Sequence, residues 1–101
     1  MTYNMTVIIK DPKTEAGKNS ELMFKLTAYF THDPDTYGNG YYVKIVNDTE
    51  HYENIYDLRY DTEFSIKYAI AWLADWANTY WNGYNGAYML ESIDIRRTAA
   101  L

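Results

Sequence analysis

Between Tyr52 and Tyr88 every fourth residue carries an aromatic ring: Tyr52, Tyr56, Tyr60, Phe64, Tyr68, Trp72, Trp76, Tyr80, Tyr84 and Tyr88. Trp81 adds another inside the run. A spacing of four has opposite consequences in the two regular structures. On a strand it returns to the same face, because side chains alternate with a period of two. On a helix of 3.6 residues per turn it drifts by about 40° per step, so the rings spiral around the axis instead of forming a stripe. The run therefore demands a large aromatic core and enough further rings for an aromatic surface.

The segments before the run are strand-like. Tyr3, Met5, Val7 and Ile9 alternate with polar neighbours over Tyr3–Lys10, and Leu22, Phe24, Leu26, Ala28 and Phe30 do so over Glu21–Thr31. Met23, Lys25, Thr27 and Tyr29 fall on the other side of that second strand. A third strand covers Tyr41–Asn47, with Tyr41, Val43 and Ile45 inward and Tyr42 outward. The connections at 11–20 and 32–40 are dense in turn formers, including Pro12, Gly17, Pro34, Gly38 and Gly40. Tyr52–Tyr60 is assigned as a fourth strand on its Tyr and Ile content, with a short helix after Asp48 as the competing assignment. As a strand it puts Tyr52, Asn54, Tyr56, Leu58 and Tyr60 on one face and Glu53, Ile55, Asp57 and Arg59 on the other.

A helix is predicted over 62–81, with Asp61 or Thr62 as N-cap and Asn82-Gly83 as the stop. Ala69, Leu73, Ala77, Trp72, Trp76, Tyr80, Ile66, Ile70 and Trp81 fill an arc of about 180° on its wheel. Phe64 and Tyr68 pack over the helix start or lie exposed. A turn at Tyr84-Asn85-Gly86 leads to a last strand, Ala87–Arg97, with Met89, Ile93 and Ile95 sharing a side. The expected fold is a single α+β domain over residues 1–101: a mostly antiparallel sheet of four or five strands with one long helix on one face, in the order β-β-β-β-α-β. The last strand is expected beside the first, antiparallel to it, giving the order 5-1-2-3-4. The alternative is a right-handed crossover to the fourth strand.

The chain has 101 residues, net charge −5 and no cysteine. Lacking cysteine, it can form neither disulfides nor thiolate metal sites, and it suits a reducing compartment. With no basic, apolar leader at Met1-Thr2-Tyr3-Asn4 and no long apolar stretch, a cytoplasmic protein without membrane attachment is expected. Asp48, Glu50, Glu53, Asp57, Asp61 and Glu63 face only Arg59 within their segment, so this stretch alone accounts for a charge of −5. Such a segment repels phosphate backbones, which argues against nucleic-acid binding despite the tyrosines that could stack bases.

His32, Asp33 and Asp35 are too few for a metal site and serve better as turn residues. Asp33 to Lys44 fails as a calcium loop, since a lysine stands where the bidentate carboxylate belongs. Along a strand, Glu53, Asp57 and Asp61 are spaced about 13 Å per step, too far for an acid–base pair. No catalytic residue, metal or cofactor is expected, and the chain is not expected to be an enzyme. The expected site is instead a tyrosine-rich sheet face that binds another protein or a second copy of the chain. Its candidate contact residues are Tyr29, Tyr42, Tyr52, Tyr56, Tyr60, Glu53, Asp57 and Asp61.

The stretch from Tyr56 to Phe64 leading into an aromatic helix, with Tyr84-Asn85-Gly86-Ala87-Tyr88 and a closing strand, resembles small uncharacterised proteins of phages and prophages of Gram-positive bacteria. The resemblance covers the C-terminal half and implies a bacterial or phage cytoplasmic protein. The outline of strands, helix and acidic surface is also similar to some phage inhibitors of host nucleases, including anti-CRISPR proteins. That likeness implies an alternative role, in which Glu50, Glu53, Asp57, Asp61 and Glu63 imitate DNA phosphates and block a basic host protein.

Overall fold

The structure, a computed structural model, describes residues 1–10, 20–33, 40–82 and 89–98. The 11–19 connection, Asp35, the Gly83 helix stop, the turn expected at Tyr84-Asn85-Gly86 and the Ala87-Tyr88 start of the expected last strand lie outside the described residues. Five strands form one antiparallel sheet: β1 (Thr2–Lys10), β2 (Glu21–His32), β3 (Tyr41–Asn47), β4 (Tyr52–Asp57) and β5 (Met89–Arg97). Their order is β4-β3-β2-β1-β5, the antiparallel arrangement expected for the last strand. A 3-10 turn at Ile66–Tyr68 runs into the helix α1 (Ala69–Asn82), which packs on one face of the sheet.

The core sits between that face and α1. Met5, Val7, Ile9, Leu26, Ala28, Phe30, Val43 and Ile45 are buried from the sheet, and Ala69, Leu73, Ala77 and Trp81 from the helix. The four helix residues are spaced by four, and two are alanines, which lets the backbone approach the sheet closely along this line. Larger rings pack along it. Trp72 meets Phe30 and Tyr56 edge-on, and Trp81 stacks on Phe24 at 5.9 Å. Asn82 closes the layer by accepting the Leu90 N–H at 3.0 Å, tying the helix end to β5.

Several expectations are corrected. β2 pairs with β3 only from Leu26 onward, so Leu22, on the predicted core face, has no β3 beside it and is 49% exposed. On β5, Ile8 pairs with Ser92 but Ile9 with Leu90, so Glu91 is an extra residue in the ladder. Such a bulge inverts the alternation beyond it. Leu90 consequently replaces Met89 on the core side, and Met89 is exposed. The helix begins later than predicted, after Ser65, and neither Asp61 nor Thr62 caps it. The reason is a pair of tight turns: the Asp61 N–H donates to Leu58 O and the Phe64 N–H to Asp61 O, both at 3.1 Å. Ile70, predicted on the core arc, is exposed.

Candidate interaction surface

The strand assigned to Tyr52–Tyr60 is present over Tyr52–Asp57, but the tyrosines do not share one face. The β3–β4 register pairs Tyr52 with Asn47 and Tyr56 with Val43, both buried core residues. Tyr52 and Tyr56 therefore point to the helix side, and Tyr56 meets Trp72 at 5.8 Å and Trp76 at 6.1 Å. Tyr29 and Tyr42 lie on the opposite, outer face. Tyr60 lies on neither: the strand stops at Asp57, and the turns after Leu58 leave Tyr60 72% exposed. Asp61 is in those same turns and accepts the Glu63 N–H on its carboxylate.

The register is set by the four-residue loop Asp48–His51. Asn47 Oδ1 accepts the N–H groups of Thr49 at 3.1 Å and Glu50 at 2.9 Å, and His51 closes the loop in the left-handed region with φ 62°. The loop is stitched to β2, since the Asp48 N–H donates to Lys25 O and the Thr27 hydroxyl to the Asp48 carboxylate. Asn47 is 1% exposed and also donates to the Tyr52 hydroxyl at 3.4 Å. The sequence reading ended β3 at this residue without giving it a role. Its signal is an asparagine opening a polar turn, where its side chain can hydrogen-bond the backbone two residues on.

The Tyr52 and Tyr80 hydroxyls share a hydrogen bond of 2.8 Å. Burial, and then this bond, push the Tyr80 phenol well above its ordinary value of 10.0. Because the folded value is the higher one, neutral Tyr80 stabilises the fold fully below pH 10.0, and that contribution is lost as the pH rises through the folded value. Stability is therefore expected to fall more between one unit below and one unit above that pH in the wild type than in Tyr80→Phe, as read from urea midpoints.

On the outer face, one row across the sheet is Tyr29, Lys44 and Ile55, and the next is Thr31, Tyr42 and Asp57. Both tyrosine rings carry a cation: Lys44 Nζ lies 5.1 Å from the Tyr29 centroid and the Arg59 guanidinium 4.9 Å from that of Tyr42. Arg59 also covers the Tyr60 ring at 5.3 Å and bonds both carboxylate oxygens of Asp57. That hydrogen bonding holds the Asp57 carboxyl below the usual carboxylate range. Asp57 is thus a paired charge, and Glu50, Glu53 and Glu63 are also exposed along the same segment.

Ile55, an isoleucine between Glu53 and Asp57 on the outer face, is 67% exposed. The sequence groups it with Glu53 and Asp57, opposite the tyrosines taken as the binding face, and gives it no role; an apolar residue on an otherwise charged strand face is the available signal. β4 is also an edge strand. The Leu58 N–H bonds Tyr41 O, so by the antiparallel alternation Tyr56, Asn54 and Tyr52 turn their backbone groups toward β3. Glu53, Ile55 and Asp57 turn theirs outward. In hydrogen exchange, the amides of Glu53, Ile55 and Asp57 are expected to exchange fast and those of Asn54 and Tyr56 slowly.

His32 stacks on Tyr41 at 4.6 Å. Among the described residues, no group of three or more His, Asp or Glu side chains is placed to hold a metal ion. Among them also, no helix is long and apolar enough to cross a membrane. No family model, curated protein or solved structure matches this chain.

Proposed function

We propose that this protein is a non-enzymatic interaction module that takes an extended segment of a partner protein onto the open edge of β4. The observation that carries the reading is Ile55: a branched apolar side chain, largely exposed, on an edge strand whose outward backbone groups belong to Glu53, Ile55 and Asp57. Native edges are usually blunted by charge, proline or a covering element, because an open edge is a template for another strand. Main-chain bonds then supply affinity and alternate side chains supply selectivity. Tyr29 and Tyr42 extend the contact across the outer face, and the cations over their rings hold them in place before binding.

The acidic rim favours a basic partner strand. Self-pairing through β4 would bring two segments of charge −5 together, so a foreign segment is favoured over a second copy. The phosphate-mimicry reading draws on the exposed carboxylates of Glu50, Glu53 and Glu63, with Asp57 withdrawn from the set by Arg59.

Proline at position 55 removes an outward N–H and leaves the bonds to β3 in place, which an edge strand tolerates. Peptides selected from a random display library against the wild type are expected to be basic and extended, and to lose at least tenfold in affinity for Ile55→Pro, about 1.4 kcal/mol. Peptides that bind Ile55→Pro and Tyr42→Ser as tightly as the wild type would remove β4 and the outer face as the site.

A further inference from the structure

Where the chain leaves β4 for the helix, at the end of the acidic segment, the two tight turns and α1 border an open surface cavity of about 480 Å³. That volume falls in the range of about 300–1,000 Å³ typical of ligand sites. Its lining combines two kinds of residue: the aromatic Phe64, Tyr68 and Trp72, of which Phe64 is buried, and the acidic Asp61, Glu63 and Asp75. Among the described residues that line it, none is basic.

We infer that this cavity binds a guanidinium group. An aromatic wall attracts a cation through the negative face of the ring, most strongly at tryptophan. Carboxylates attract any cation, but a rim of carboxylates beside flat rings suits a planar one. A guanidinium stacks its face on a ring and keeps its edge donors free for carboxylate oxygens, whereas an ammonium is a compact, strongly hydrated point charge. The protein already shows the first half of this chemistry next door: Lys67 holds its Nζ 5.0 Å from the Tyr68 ring centroid. It shows both halves at Arg59, whose guanidinium lies over Tyr42 and Tyr60 while bonding Asp57.

The three carboxylates arrive from different parts of the chain. Asp61 and Glu63 belong to the turns, and Asp75 lies on α1. Glu63, Tyr68 and Asp75 are all exposed, so each can be changed without opening the core. Trp72 and Phe64 are not suitable targets, because both pack on Phe30. Trp72 instead serves as the reporter.

The probe is N-acetylarginine amide, titrated into the full chain and followed by the Trp72 indole N–H resonance. The lysine analogue is expected to bind more weakly and the uncharged citrulline analogue not to shift the resonance. Asp75→Asn and Glu63→Gln are each expected to weaken binding about threefold, the size of an exposed ion pair. Tyr68→Ala is expected to weaken it by a similar factor. Binding of the citrulline analogue equal to that of the arginine probe, or full affinity in Asp75→Asn and Glu63→Gln together, overturns the assignment. A Gly-Arg-Gly peptide that binds more tightly than the single residue marks a protein side chain as the source; equal affinity marks the free guanidinium as sufficient. Ile55→Pro is expected to leave arginine binding unchanged, so this site and the β4 edge stand or fall separately.

Discussion

Phe64→Ala is expected to lower the stability of the fold by about 3–5 kcal/mol, whereas Tyr60→Ala should change it by less than about 0.5 kcal/mol. Both residues belong to the aromatic run with a period of four, and sequence alone gives no reason to rank them. The structure does. Among the described rings spaced by four, Phe64 is the one in the buried core, at 5% exposure, while Tyr60 is 72% exposed. Phe64 stacks on Phe30 at 5.7 Å and meets the Tyr41 ring at 5.5 Å, so it joins the linking turns to β2 and β3 beneath the helix start. Truncation would leave a cavity at the point where the chain crosses from sheet to helix, and the surrounding rings are too large to fill it. A small domain has about 5–15 kcal/mol in total, so the variant should be visibly less folded at moderate urea. Urea unfolding followed by tryptophan fluorescence checks both variants, and equal midpoints would contradict the placement of Phe64.

The second large effect is expected at Asn47. Asn47→Leu keeps a similar volume but removes the acceptor for the Thr49 and Glu50 N–H groups and the donor to Tyr52. Leaving such donors unsatisfied beside a buried position should cost about 2–3 kcal/mol. The loss should be local as well as global. The β3–β4 loop sets the register of β4, so hydrogen exchange at Asn54 and Tyr56 should accelerate more than exchange in β1. Asn47→Asp keeps the acceptor, loses the amide donor and buries a charge, and its stability should fall between wild type and Asn47→Leu. If Asn47→Leu is as stable as wild type, the loop does not depend on its side chain.

These two residues mark where the sequence was legible. Alternation was plain in β1, β2 and β3 because each has one buried face, and Met5, Val7, Leu26, Ala28, Val43 and Ile45 lie where that pattern put them. The helix was legible for the same reason at another period: Ala69, Leu73, Ala77 and Trp81 form its buried line. β4 was legible as a strand but not in its orientation. Tyrosine suits either face of a strand: its ring can sit on the helix side, as those of Tyr52 and Tyr56 do, or on an outer face, as that of Tyr42 does. Grouping Tyr29, Tyr42, Tyr52, Tyr56 and Tyr60 on one surface failed on that ambiguity. The single extra residue in β5 was invisible for a related reason: Met89 and Leu90 are both apolar, so either phase satisfies the pattern until Glu91 bulges out of the ladder.

The order of the elements, the antiparallel sheet with one helix, the inward faces of the three central strands and the acidity of the segment from Asp48 to Glu63 follow from local pattern, because period and charge are properties of neighbours in the chain. Which tyrosines meet the helix, which carboxylate is matched by Arg59, which strand lies at the sheet edge and which aromatic and acidic residues border the cavity at the helix start all depend on registers and turns. Those are set by contacts between residues far apart in the chain, and only the folded arrangement of the sheet against the helix decides them.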